Sequence, residues 1–214
     1  MLSILLLALG TSFVLGMRHA TDPDHVVAVT AIAAQERSLR RAAAIGALWG
    51  LGHTITIIVV GGAIVLFRLA FTPRLGLSME LAVAVMLIVL GVLNLFDVRF
   101  RPSTVTAARP VLVGVVHGLA GSAAATLLVL PLIPEPRWAV VYLLVFGGGT
   151  IAGMALMTVV IAAPSVYAAA RVTRLQRGIR IASGALSVCF GLYLAHRIGF
   201  VDGLFTAAPH WTPA

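Results

Sequence analysis

The chain has 214 residues, 60% of them hydrophobic and 10% charged, with a mean hydropathy of +1.07. A soluble domain carries roughly 25% charged residues, so a water-soluble enzyme or binding module is excluded and an integral membrane protein is expected. The basic residues behind the formal charge of +8 are all arginines lying mainly between apolar runs, where they read as topology signals rather than as a nucleic-acid surface.

Six uncharged runs follow one another: Leu2 to Met17, Ala42 to Phe67, Leu81 to Phe96, Val111 to Ile133, Trp138 to Ala163 and Ile181 to Ala195. A membrane-spanning helix needs ~20 mostly apolar residues, and the second, fourth and fifth runs reach that length as they stand. The third reaches it from Gly76 by taking in Glu80 as an interface residue, and the sixth by letting Arg197 snorkel to the membrane surface. The first reaches it only by including the charged stretch that follows. Met1-Leu2-Ser3 lacks the basic segment of a secretory leader, so a membrane helix is expected there. The single cysteine, Cys189, lies inside the sixth run and excludes an intrachain disulfide or a thiolate metal site.

The charged stretch is "RHATDPDH", Arg18 to His25. An ionisable group at bilayer depth costs at least ~2.5 kcal/mol, so these groups must compensate one another or face water, and a functional cavity is the default reading. The bland alternative ends the first helix at Met17 and makes the stretch a loop, which leaves Val26 to Ala34 as a stranded apolar tail. On a continuous helix His19, Asp22 and His25 recur at i+3 and share a face, with Asp24 turned away. Pro23 has no amide hydrogen and crowds the preceding turn, so it is predicted to break the helix between the two histidines. A break there lets Asp22 and Asp24 serve one ion. Two imidazoles and two carboxylates suit a divalent cation such as nickel, cobalt or zinc, and the carboxylates offset its charge away from bulk water.

Two further histidines lie within spans: His53 in "WGLGHTITII" and His117 in "GVVHGLAGSAA". Both are flanked by glycines, and small residues let helix backbones approach closely in lipid. His196 and His210, near span or chain ends, are expected to be solvated, and Met17 and Met154 to serve packing. The helical zinc-hydrolase motif H-E-x-x-H and the G-x-S-x-G nucleophile turn are both absent, so an enzyme is not expected.

The polar stretch Val98 to Pro110 divides the runs three and three. Gly16 and His19 match Gly114 and His117 at one offset; Gly50 and Gly52 match Gly147 and Gly149 one residue closer; Gly91 matches Gly191. An odd number of spans per half forces the second copy to enter from the opposite face, the inverted-repeat plan of many secondary transporters. The expected fold is therefore an all-α integral membrane protein of six transmembrane helices, as two inverted three-helix repeats. Residues 1–97 form the first repeat, 98–110 a cytoplasmic connection and 111–214 the second repeat. Arg37, Arg40, Arg41, Arg99, Arg101, Arg109, Arg171, Arg174, Arg177 and Arg180 fall on one side; Arg68, Arg74, Arg137 and Arg197 fall on the other. That bias places the odd connections in the cytoplasm and both termini outside.

"RHATDPDH" resembles the H-x4-D-H signature of the nickel/cobalt transporter family, with His19, Asp24 and His25 in the fixed positions, and "GLGHT" resembles that family's second motif around His53. The resemblance extends through "LAVAVMLIVLGVLNL" and "GVVHGLAGSAA". Typical high-affinity members carry an acidic motif after the counterpart of His117, where this chain reads "GLAGSAAAT", and another acid after the "GM" that here precedes "ALMTVVIAAP". In these departures and in its shortness the chain is similar to the compact branch linked with urease accessory transport. The resemblance implies a permease of the bacterial inner membrane that moves nickel, or else cobalt, inward. It implies metal recognition by His19, Asp22, Asp24, His25 and His53, with His117 a less secure sixth; in the inverted-repeat plan His117 is expected to approach from the other half as the two halves rock. The ion is cargo, so no resident cofactor is expected; the partners are the divalent ion and the lipid bilayer, with no nucleic acid and a homo-oligomer left open. The alternative reading is an exporter of the lysine-exporter-like superfamily, for a divalent metal or small solute.

Overall fold

The computed structural model describes residues 2–33, 36, 38–67, 72–97, 108–119, 135–169 and 173–211. Among the described residues the regular elements are all helical: α1 (Leu2–His19), α2 (Pro23–Ala33), α3 (Leu39–Phe67), α4 (Pro73–Leu95), α5 (Ala108–Gly118), α6 (Pro136–Ala169) and α7 (Thr173–His196). A π-helical turn, Arg197–Val201, continues α7. Among the described residues four helical stretches are long and apolar enough to cross a bilayer: Leu39–Ala63, Pro73–Leu95, Arg137–Tyr167 and Gln176–Val201. The chain is an all-helical membrane protein. The last stretch includes Arg197, and the second begins before Gly76 and takes in Glu80, as the run lengths require. Of the fourth run, Val111 to Gly118 lies in α5 and residues 120–133 lie outside the described residues.

The helix starts and stops have local causes. Thr72 precedes α4 with Pro73 at its first position, and the Thr72 hydroxyl accepts from the Leu75 amide at 3.4 Å, so one free amide of the first turn is met by the cap and proline has none to meet. At the far end Asp97 takes a left-handed conformation (φ 52°), which stops the helix. Arg180 of α7 donates to the carbonyls of Asn94 and Leu95 at 2.6 and 3.2 Å, so the C-terminal carbonyls of α4 are met by a cation. In the connection between α2 and α3, burial pushes the Glu36 carboxyl above its ordinary range while Arg41 draws it down.

Packing is governed by glycine. A methyl group at Gly16 (α1) would overlap the Phe146 carbonyl of α6, and one at Gly149 (α6) would overlap the Phe13 carbonyl of α1. The same reciprocal contact joins α3 and α5: Gly114 lies on the Trp49 carbonyl and Gly52 on the Val111 carbonyl. A third pair, α4 with α7, sets Gly91 against the Gly184 carbonyl and Gly191 against the Ala84 carbonyl. Backbones in such contact gain dispersion and carbonyl contacts that lipid does not offer. Side chains add hydrogen bonds between helices: Ser12 to the Tyr142 carbonyl at 3.0 Å, Thr56 to the Val115 carbonyl at 3.1 Å, and Ser187 to the Leu87 carbonyl at 2.8 Å.

The result is a four-helix body of α1, α3, α5 and α6, with α3 packed on both α5 and α6, beside a separate α4–α7 pair. The short helix α2 lies between them, touching α4, α6 and α7. Its inner face, with Val27, Ala28, Val29 and Ala33, joins Trp49, Val83, Leu87 and Met154 in the principal apolar core. Met154 thus serves packing, as expected. His196 and His210 are exposed. Glu80 accepts a hydrogen bond at 2.8 Å from the indole of Trp211, whose ring covers Gly76.

Candidate metal centre

The break between α1 and α2 is built by backbone bonding. The Arg18 carbonyl accepts from the Thr21 amide at 2.8 Å and from its hydroxyl at 2.6 Å, and the His19 carbonyl accepts from the Asp22 amide at 3.1 Å. These bonds turn the chain and leave Pro23 at the first position of α2, where a missing amide hydrogen costs nothing. The Asp22 carbonyl then starts the new helix by accepting from Val26 at 3.0 Å. Pro23 therefore sits at the break between the two histidines, as predicted, and the i+3 register of one continuous helix does not apply across it. His19 ends α1, while Asp24 and His25 open α2, where the positive end of the helix dipole favours a carboxylate.

α3 contributes His53 and α5 contributes His117. The Gly114 contact with Trp49 and the packing of Gly118 against the His53 carbonyl and Thr56 bring the two helices close enough for these side chains to share one space. All four imidazoles are buried, His25, His53 and His117 at 0% exposure and His19 at 8%. His25 is central, with ring centroids 4.5 Å from His19, 5.1 Å from His53 and 4.1 Å from His117.

The polar contacts are specific. His19 Nε2 lies 3.0 Å from His53 Nε2, and His19 Nδ1 lies 2.7 Å from Asp22 Oδ2. Asp24 spans two partners: its Oδ1 accepts from the His25 amide at 2.9 Å and faces His25 Nδ1 at 3.0 Å, and its Oδ2 faces His117 Nε2 at 3.0 Å. His25 Nε2, His53 Nδ1 and His117 Nδ1 are buried without a hydrogen-bond partner. A buried polar atom is ordinarily paired; among the described residues these three nitrogens and the Trp49 indole nitrogen have no partner, so the cluster carries hydrogen-bonding capacity that no described protein group uses.

The candidate ligand atoms fall into two groups, His19 with His25 and His53, and Asp24 with His25 and His117, each set lying within 4.8 Å. The 3.0 Å separation of the His19 and His53 nitrogens is that of a hydrogen bond. It is equally that of two ligand atoms roughly at right angles around an ion with bonds of ~2.1 Å to imidazole. Tetragonal coordination by nitrogen and oxygen is the habit of nickel(II) and copper(II).

Of the residues expected at the site, His19, Asp24, His25, His53 and His117 come together. Asp22 reaches it only through His19 and stands at the rim, its side chain 44% exposed against 22% for Asp24. Sequence reasoning passed over the walls. Trp49 packs against the rings of His25 and His117, with centroids 5.7 and 5.3 Å away, and Phe146 lies 5.8 Å from His19. The spacing held a signal for Trp49, which lies one helical turn before His53 and so shares its face. Phe146 had none, since it arrives from another helix.

Residues 5–109 match the family described as "High-affinity nickel-transport protein", NicO. The chain is 30% identical over 219 residues to the urease accessory protein UreH of Bacillus sp. (strain TB-90), an alignment covering 94% of this chain and 96% of that protein. No solved structure matches it.

Proposed function

This chain belongs to the NicO family of nickel-transport proteins, in its urease-accessory-like branch, and from that premise we propose that it is a permease that carries nickel, with cobalt as a second ion, into the cell. The observation that carries the reading is the buried cluster of four histidines and Asp24, drawn from four helices and holding three unpartnered ring nitrogens. A charged group at that depth is normally functional, and imidazole with carboxylate is a donor set for a first-row divalent ion. The ion is the cargo. Asp24 supplies a negative charge that lowers the cost of holding it away from water, while the neutral imidazoles replace its hydration shell.

The architecture proposed is six spans in two inverted three-helix repeats, residues 1–97 and 111–214, joined by a cytoplasmic connection at 98–110. Two things support it. The reciprocal glycine contacts repeat at fixed offsets: Phe13 and Gly16 correspond to Val111 and Gly114, Trp49 and Gly52 to Phe146 and Gly149, and Ala84 and Gly91 to Gly184 and Gly191. The arginine bias orients both termini outward across the bacterial inner membrane. Sites in this plan lie where the repeats meet, on broken helices, which fits the interruption at Ala20 to Asp22.

The test is nickel accumulation by cells expressing His19→Ala, Asp24→Asn or His25→Ala. Each variant should lose uptake, and persistence of uptake in all three overturns the site. Cellular nickel content with nickel tolerance fixes direction: uptake raises content and lowers tolerance, and an exporter does the reverse.

A further inference from the structure

We propose that Arg18, Thr21 and Asp22 form a water-filled mouth at bilayer depth, through which the ion passes between water and the histidine cluster. The inference rests on the nickel-permease reading for what passes, and on geometry alone for the presence of water.

Arg18 is the one charged side chain of "RHATDPDH" that the cluster leaves unused. It is exposed, yet it stands next in the chain to His19, whose ring meets His53 near the middle of the span Leu39–Ala63. An ionised group at that depth faces the inside of a bundle or a water-filled cavity, because hydrocarbon does not solvate it. Being exposed, Arg18 has water as its remaining choice. The backbone leads to the same conclusion. The chain leaves the helix between α1 and α2, and Thr21 in that interruption and Pro23 just after it are exposed. Non-helical backbone within a membrane is tolerated where protein buries it or where it lines water, and Thr21 is not buried.

The neighbouring surfaces differ. One turn before Arg18, on the same face of α1, Val14 is exposed and apolar, as a lipid-facing residue should be. On the other side of the cluster, along α2, the residues Val27, Ala28, Val29 and Ala33 are closed in with Trp49, Leu87 and Met154. The opening is therefore confined to the turn. The Asp22 carboxylate joins it to the cluster, since its side chain is 44% exposed and lies 2.7 Å from His19 Nδ1. The rim carries one cation, Arg18, and one carboxylate, Asp22, whose formal charges cancel. A divalent ion thus gains less attraction at the rim than beside Asp24, and the rim passes it on.

The experiment uses the full chain in lipid nanodiscs, with its own exposed thiol removed by Cys189→Ser, and adds Arg18→Cys, Thr21→Cys or Val14→Cys. Modification by a positively charged, water-soluble thiosulfonate is followed with and without nickel. Arg18→Cys and Thr21→Cys should react at least about tenfold faster than Val14→Cys, because the reactive thiolate forms in water and not in lipid. Saturating nickel should slow both severalfold, since an ion in the cluster repels the cationic reagent, and adding His25→Ala should remove that protection. Reaction of both variants no faster than that of Val14→Cys would overturn the proposal. So would spontaneous disulfide linkage of two copies through Arg18→Cys, because a partner chain would then cover this face. Rates that nickel leaves unchanged, or changes equally when His25→Ala is present, would remove the opening from the ion's route and overturn it as well. If reactivity and nickel protection hold but wild-type cells accumulate no nickel, the permease reading fails and the mouth stands.

Discussion

Asp22 and Asp24 are two residues apart and have different work. Asp24 touches two histidines from inside the cluster, whereas among the described residues the Asp22 carboxylate meets His19 Nδ1, at 2.7 Å from a half-exposed position. A carboxylate on one imidazole nitrogen fixes the hydrogen there and leaves the other nitrogen as the ligand, an outer support whose loss typically costs 10–100-fold in metal affinity. Asp22→Asn is therefore expected to weaken nickel binding by roughly 10–100-fold without abolishing it. Asp24→Asn should remove a direct ligand and cost more than that. Dialysis of both variants against nickel separates the roles, and equal losses would refute the distinction. The residue types at this site were legible in the sequence because charge at bilayer depth is costly and needs a reason. The division between the two aspartates was not, because it depends on how three residues, Ala20 to Asp22, turn between α1 and α2.

At the scale of the element, three consecutive glycines in α6 make a controlled comparison. A methyl at Gly149 would overlap the Phe13 carbonyl, and one at Gly147 would collide with Thr54, whose hydroxyl donates to the Gly147 carbonyl at 3.2 Å. A methyl at Gly148 meets nothing within 4 Å. Thermal unfolding in detergent should show Gly148→Ala unchanged or stabilised by about 0.5–1 kcal/mol, the helical advantage of alanine. Gly147→Ala and Gly149→Ala should lose about 1–3 kcal/mol to overpacking. Equal behaviour of all three would remove glycine contact as the basis of packing. The helices themselves were legible as apolar runs, and the matched glycines hinted at a repeat. Which helix each glycine faces was not legible: Gly16 and Gly149 are far apart in sequence, and nothing local to either names the other.

At the scale of the molecule, the tight contacts cross the midpoint of the chain. α1 is fastened to α6 and α5 to α3, so residues 1–97 and 111–214 cannot part as rigid bodies. The less intimate boundary lies between the four-helix body and the α4–α7 pair, with α2 and its two site residues between them. Membrane topology belongs to this scale too. The arginine bias predicts that tags on both termini are accessible from outside sealed cells, and a cytoplasmic terminus would reverse the orientation. Fold class and topology signals could be read from composition because water and lipid impose them on every residue. The interlocking of the halves could not, since it arises only when the helices meet.

That interlocking has a consequence for how the protein is made. α1 leaves the ribosome first, yet the helix its glycines fit is α6, and His53 waits for α5 to bring His117 beside it. A chain arrested midway already contains His19, Asp24, His25 and His53, but not the packing that holds them around an ion. A half-chain is therefore expected to carry no nickel. Fragments 1–97 and 98–214 produced together should restore nickel uptake, and either produced alone should give none and be degraded. Uptake by the first fragment alone would show that the binding cluster needs only its own half.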